Sequence, residues 1–253
     1  MPWNPDQYHK FSAERSAPFE DLLKLVHVRT GLRVVDLGCG TGELTRKLAD
    51  ALPASDVLGL DSSPQMLVKA AQHARPGLRF EQGDQARLTG EWDLIFSNAA
   101  LQWSDDHANL FPRLFARLKP GGQFAVQMPS NHEHISHRKI REVAGREPFW
   151  SALNGWIRYA PVLPIEAYAD ILFRQNAEQI TVFEKVYPHV LENSDAVVEW
   201  ISGTVLVPYF ERLDESMREQ FTQAIRDELR AALPGQPVFY PFKRTFLTGS
   251  KHE

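Results

Sequence analysis

The sequence predicts an α/β protein: a Rossmann-like, doubly wound, mostly parallel sheet with a C-terminal antiparallel strand pair and a helical cap. Three observations predict it. Five short apolar runs fall within about 100 residues, most of them followed by an amphipathic stretch, which is how helical crossovers between parallel strands read. The first run leads into a glycine cluster that opens a helix. After Pro129 this rhythm is lost, and two later strand patterns stand far apart in the chain.

Residues 1–30 read as a helical entry segment, with Leu22, Leu23 and Val26 on one stripe and Phe11 and Phe19 before it. The doubly wound core is expected over 31–129. Its first strand is Leu32–Leu37, followed by Gly38-Cys39-Gly40-Thr41-Gly42. A helix with Leu44, Leu48, Ala51 and Leu52 on one face stops at Pro53. The second strand, Val57–Leu60, ends at Asp61, and Ser63-Pro64 starts the next helix with proline in its first turn. The third strand lies near Leu78–Glu81 and the fourth at Asp93–Phe96. A helix over Leu110–Leu118 and a turn at Lys119–Gly122 precede the fifth strand, Gln123–Met128. Residues 130–165 and 191–237 are expected to form cap insertions on a single domain covering 1–253. A helix is expected at Glu166–Arg174 and strands near Ile180–Val186 and Phe239–Leu247, with two helices over 194–233.

Composition narrows the function classes. Hydrophobic residues make up 43% and charged residues 24%, which excludes wholesale disorder. A formal net charge of -4 argues against a broad nucleic-acid surface. The single cysteine, Cys39, cannot form an internal disulfide. The polar, proline-broken start is unlike a secretory signal, and no apolar run reaches the roughly 18 residues of a membrane helix. A cytoplasmic protein is expected, with no nucleic acid, no membrane and no obligate protein partner.

The glycine loop carries the first chemistry. Without a Cβ, its backbone lets a ligand approach closely. Asp61 follows Gly42 by 19 residues, at the end of the second strand, where a carboxylate can accept from both hydroxyls of a ribose. The dinucleotide pattern wants a third glycine where this chain has Glu43, and a carboxylate at a helix N-terminus repels pyrophosphate. A nucleoside without phosphates is the better ligand.

VVDLGCGTG, GLDSSPQM, QGDQA, WDLIFSNAALQW and LKPGGQFAVQMP closely resemble, in this order, the successive motifs of class I S-adenosylmethionine-dependent methyltransferases, over roughly residues 32–129. The resemblance implies S-adenosylmethionine as cofactor. It puts Asp36, Gly38, Cys39 and Gly40 against the methionyl and ribose parts, and Asp61 on the ribose hydroxyls. Ser62 and Met66 would flank the adenine, Asp84 accept from its amino group with Gln85 beside it, and Asn98 face the sulfonium region.

The opening WNPDQYHKFSAERSAPFEDLL and the SNAALQW segment are similar to members of this family that form a methyl ester on a small polycarboxylate. PYFERL and YPFKRTF continue the likeness more loosely. LQW also occurs in salicylate-type and malonyl-carrier-protein carboxyl methyltransferases. The resemblance implies that Trp103, with Gln102, contacts the acceptor.

A carboxyl acceptor needs no general base, because it is already ionised at neutral pH. No Ser-His-Asp set or metal cluster stands out in the sequence. The remaining carboxylates of the acceptor call for bidentate donors, which arginine supplies. Arg15 and Arg244 gain from the resemblance; Arg146 and Arg158 read as surface ion-pair partners in the cap. Tyr8 and Trp3 would close over the acceptor or pack in the core. His132, His134 and His137 have no standard zinc spacing and read as solvated loop histidines. A malonyl-carrier-protein methyltransferase, a methyltransferase acting on nitrogen or a hydroxyl, and a non-enzymatic nucleoside-binding module remain alternatives.

Overall fold

The computed structural model describes residues 12–253, with side chains from Ser16 onward. Among the described residues, one sheet of seven strands runs β3-β2-β1-β4-β5-β7-β6. The strands are β1 (Arg33–Leu37), β2 (Asp56–Asp61), β3 (Leu78–Gln82), β4 (Trp92–Asn98), β5 (Leu118–Pro129), β6 (Ala177–Leu191) and β7 (Val238–Lys251). The β1–β2, β1–β4, β2–β3 and β4–β5 pairs are parallel, and β7 runs antiparallel to β5. The strand order reverses at β1, which lies between β2 and β4, so a ligand crevice is expected at the C-terminal ends of β1 and β4.

By contact the chain divides into two compact units. The larger comprises Arg15–Pro129, Pro161–Lys185 and Arg244–Glu253. Its sheet is covered by α1 (Ser12–Leu23), α2 (Glu43–Ala51), α3 (Pro64–Ala70), α4 (His107–Ala116) and α7 (Ile165–Arg174). Val35, Ile95, Phe111, Phe124, Val126 and Tyr168 pack in its core. Phe19 of α1 meets Phe96 edge-on at 5.8 Å. Burying such side chains stabilises by about 1.5–3 kcal/mol each, which is what holds short helices to the strands.

The other unit takes the described residues up to Glu14, with Ser130–Ala160 and Val186–Lys243. It holds α5 (Ile135–Ala144), α6 (Phe149–Ala152), α8 (Ser194–Ser202), α9 (Val207–Phe210) and α10 (Glu215–Ala232). Phe221, Ile225 and Leu229 form the buried face of α10, and Phe221 meets Phe149 and Tyr209 at ring distances of 5.2 and 5.3 Å. Among the described residues, no helix is long and apolar enough to cross a membrane.

Several boundaries differ from the sequence reading. The helix expected at 110–118 is His107–Ala116, and β5 already begins at Leu118 because Leu118 pairs with Trp92 ahead of an irregularity in the ladder. Strand β6 runs well beyond 180–186 at both ends, since β7 lies beside it. Residues 194–233 hold three helical segments rather than two, with a short one at Val207–Phe210.

The histidine triplet is also corrected. His134 caps α5: its Nδ1 accepts from the Ser136 backbone N–H at 3.2 Å, and its ring stands edge-on to Tyr240 at 4.7 Å. His137 lies inside α5, with Nε2 buried and without a hydrogen bond among the described residues. Burial, then nearby His134, His132 and Arg141, push its protonation down to about 3. The turn closed by His134 N–H on Asn131 C=O starts a helix, so His134 is a cap and His137 a helix residue rather than loop histidines, while all three residues remain half-buried.

Candidate active site

Gly38, Gly40 and Gly42 all have positive φ, at 75°, 56° and 80°. Gly38 and Cys39 donate to Leu60 C=O at 2.7 and 3.1 Å, which folds the loop back across the end of β2. A Cβ on Gly38 would lie 2.1 Å from Ala100 Cβ, so only glycine lets this loop touch the segment after β4. A Cβ on Gly40 would meet nothing within 4 Å. Gly40 therefore borders open space, and its φ keeps that face of the backbone free of side chain.

Asp61 fixes the loop from β2. Its Oδ2 accepts from Gly40 N–H at 2.8 Å and its Oδ1 from Ser63 N–H at 2.9 Å. A carboxylate has about four acceptor positions, so each oxygen keeps one for a further donor. Ser63 caps α3 and accepts from Met66 N–H; Ser62 is exposed and Met66 half-buried. Asp36 is buried at the end of β1 and accepts from Thr45 Oγ1 at 2.6 Å. Burial, against the Thr45 bond and with the charge of Asp61, pushes its carboxyl up to about 7. Burial likewise raises the Cys39 thiol, so it is no ready thiolate.

Asp84 Oδ1 accepts from Ala86 N–H at 2.8 Å and caps a single 3-10 turn, Gln85–Arg87. Gln85 reaches further: its Nε2 donates to Ser104 Oγ at 2.7 Å and to Ala100 C=O at 3.3 Å. It thus ties the turn after β3 to the segment after β4.

That segment begins with backbone strain. Ala99 has φ 55°, a left-handed value that costs a non-glycine residue about 1–2 kcal/mol. It is held by Ala99 N–H on Gln127 C=O at 2.9 Å and by Gln102 Nε2 on Ala99 C=O at 2.7 Å. A 3-10 turn over Leu101–Trp103 follows, with Gln102 and Trp103 half-buried.

A polar row crosses the sheet at the same level. Asn98 pairs directly with Gln127 across β4–β5, and Arg244 is the diagonal neighbour of Gln127 across β5–β7. Arg244 Nη1 donates to Gln127 Oε1 at 3.2 Å, and Gln127 Nε2 donates to Asn98 Oδ1 at 2.7 Å. The donor-only guanidinium fixes the orientation of both amides, so Asn98 keeps its NH2 for another acceptor. Arg244 is only 5% exposed. The sequence reading missed Gln127, which stands in the apolar run of β5; its polarity there was the available signal. It also missed His107 and Tyr168, which join at 2.6 Å beneath the Leu101–Trp103 turn.

Of the remaining candidates, Arg15 lies on α1 with only its backbone described, and Tyr8 and Trp3 lie outside the described residues. Arg146 pairs with Glu228 and Glu142 in the other unit. All the described site residues from Asp36 to Asn98, with Gln102, Trp103 and Arg244, belong to the larger unit.

The residues suit a nucleoside cofactor carrying positive charge. The Gly40 cradle is open and the Asp61 carboxylate is hydrogen-bonded to the Gly40 N–H, a setting that disfavours pyrophosphate.

Comparison with known proteins agrees. A methyltransferase-domain family profile matches residues 34–122. A trans-aconitate 2-methyltransferase of Deinococcus radiodurans is 48% identical, over 100% of both chains. The chain belongs to the trans-aconitate 2-methyltransferase family. One from Methylobacterium nodulans is 40% identical over 98% of each chain. The fold is shared with Haemonchus contortus phosphoethanolamine N-methyltransferase 2, solved with phosphomonomethylethanolamine and S-adenosylhomocysteine. That match has a TM-score of 0.58 and 19% identity, and covers 94% of this chain and 53% of that one. The protein is a methyltransferase of the doubly wound class.

Proposed function

We propose that this enzyme transfers the methyl group of S-adenosylmethionine to one carboxylate of trans-aconitate, in the cytoplasm and without an obligate protein partner. The observation that carries this reading is the contact between the glycine loop and the segment after β4, where Gly38 and Ala100 leave no room for a Cβ. Methyl transfer needs donor and acceptor held in line at close range, and these are the two loops that would hold them. The names of the full-length relatives favour a small polycarboxylate over a carrier protein.

When bound, S-adenosylmethionine supplies a methyl group on a positively charged sulfur, which a carboxylate oxygen accepts as an ester, leaving a neutral thioether. On this reading Asp61 takes the ribose hydroxyls through its remaining acceptor positions, and the Gly38–Gly40 backbone with Asp36 and Cys39 borders the methionyl part. Ser62, Met66, Asp84 and Gln85 hold the adenine. Asn98 presents its NH2, set by Gln127, towards the reacting groups. Gln102 and Trp103 contact the acceptor and exclude water, Arg244 and Arg15 supply positive charge for the distal carboxylates, and Tyr8 is a further acceptor residue. No residue has to remove a proton, since the acceptor is ionised above about pH 5.

Product analysis tests this. The enzyme, S-adenosylmethionine and a panel of di- and tricarboxylates should give a trans-aconitate monomethyl ester that mild alkali cleaves to methanol. An alkali-stable methyl group overturns the carboxyl assignment.

A further inference from the structure

We propose that His107 is a positioning residue for the acceptor, fixing the Leu101–Trp103 turn through the Leu101 carbonyl. This rests on the reading of Gln102 and Trp103 as acceptor contacts. His107 opens α4 and is 1% exposed. Its Nε2 lies 2.9 Å from Leu101 C=O, and a carbonyl only accepts, so Nε2 carries the hydrogen. In a neutral ring Nδ1 must then accept, and Tyr168 O–H, at 2.6 Å, is its donor. Tyr168 in turn accepts from Leu163 N–H at 3.0 Å. Tyr168 O–H also lies 3.9 Å from Met128 Sδ, a weaker acceptor than the imidazole nitrogen at 2.6 Å, so its hydrogen goes to Nδ1. Burial lowers the proton affinity of the ring, which keeps it in this neutral form. Phe111 lies against both rings, at 5.0 and 4.9 Å, and shuts out water.

Leu101 C=O also accepts from Ser104 N–H at 2.9 Å, the bond that closes the turn. His107 thereby fills the second lone pair of the carbonyl on which the turn is built. Apolar packing alone would need neither a histidine nor a tyrosine here, and a buried network with every member satisfied specifies one geometry.

Three measurements test the assignment on the full chain. Nitrogen-15 NMR of the His107 ring should show the Nε2–H tautomer at neutral pH; an Nδ1–H ring overturns the proposal. His107→Leu should lower kcat/KM for trans-aconitate at least about tenfold while S-adenosylhomocysteine affinity stays within about twofold. His107→Gln, which keeps a donor near the Nε2 position, should recover most of that loss; equal impairment of both variants, or parallel loss of S-adenosylhomocysteine binding, overturns it. The fluorine-19 resonance of 5-fluorotryptophan at Trp103, assigned with Trp103→Phe, should move in His107→Leu and return in His107→Gln. If the wild type fails to methylate trans-aconitate but this resonance behaves so, the positioning role stands and the acceptor reading falls. Should His107→Leu not fold, Tyr168→Phe takes its place: it removes the donor to Nδ1, and an unmoved Trp103 resonance with unchanged kcat/KM overturns the proposal.

Discussion

Arg244 and Asn98 are joined through a single buried amide. Gln127 accepts from Arg244 Nη1 at 3.2 Å and donates to Asn98 Oδ1 at 2.7 Å, so a cation in the middle of β7 sets the orientation of an amide at the end of β4. Gln127→Glu keeps the acceptor for Arg244 and loses the donor to Asn98. The expected outcome is a protein of similar stability with kcat/KM for trans-aconitate reduced about tenfold, a loss of roughly 1.4 kcal/mol. Arg244→Lys loses the planar fork instead and should raise KM for the acceptor with little change in cofactor affinity. Steady-state kinetics with S-adenosylhomocysteine calorimetry separates the two effects.

Two glycines of one loop should respond differently to the same methyl group. Gly38→Ala drives a Cβ to 2.1 Å from Ala100 Cβ at φ 75°, and should cost several kcal/mol or move both loops. Gly40→Ala meets no atom within 4 Å and bears only the cost of its positive φ, about 1–2 kcal/mol. Its fold should survive while S-adenosylhomocysteine binding weakens, because the methyl fills the space the cofactor needs. Thermal melts and calorimetry on both variants check this, and wild-type affinity in Gly40→Ala contradicts it.

Asp61→Ala removes the acceptor for Gly40 and Ser63 N–H as well as the proposed ribose partner. A charge-assisted bond contributes about 1.5–3 kcal/mol, so S-adenosylhomocysteine should bind at least about tenfold more weakly. An unchanged dissociation constant removes Asp61 from the cofactor site.

Stability of the cofactor-free protein should carry two opposed pH slopes. Asp36 titrates near 7 in the fold, above its ordinary value of 3.8, so its contribution is present at low pH and is lost as pH rises from about 4 to about 7. His137 titrates near 3, below its ordinary 6.5, so its contribution is present above about 6.5 and lost as pH falls towards about 3. Each slope approaches roughly 1.4 kcal/mol per pH unit, and between about pH 4 and 6.5 they oppose. Asp36→Asn should therefore make stability rise with pH across that window, and His137→Gln should make it fall. Denaturant unfolding at half-unit pH steps reads both.

The turnover profile should level off by about pH 6.5 and stay flat, because the acceptor carboxylate is already ionised. A hydroxyl or amine acceptor would give a rate that keeps rising with pH. Burial pushes the Asp36 carboxyl up to about 7, so an inflection there that vanishes in Asp36→Asn is assigned to this group.

The sequence by itself determined the strand–loop–helix units of the core. The glycine loop after β1, Asp61 at the end of β2, the Ser63 cap and Gly83-Asp84 after β3 are local features, each readable from a few neighbouring residues, because turn chemistry and hydrophobic period act over one or two turns of chain. Strand lengths were less legible: β6 and β5 extend as far as a neighbouring strand offers hydrogen bonds, which their own residues do not encode. The buried networks were decided by the tertiary structure alone. Gln127 lies 29 residues from Asn98 and 117 from Arg244, and His107 lies 61 from Tyr168. Each looks like an isolated polar residue in a helix or strand. Only the β4–β5–β7 register and the packing of α4 against α7 bring their donors and acceptors within 3.2 Å, and a hydrogen bond has direction and meaning only at that range.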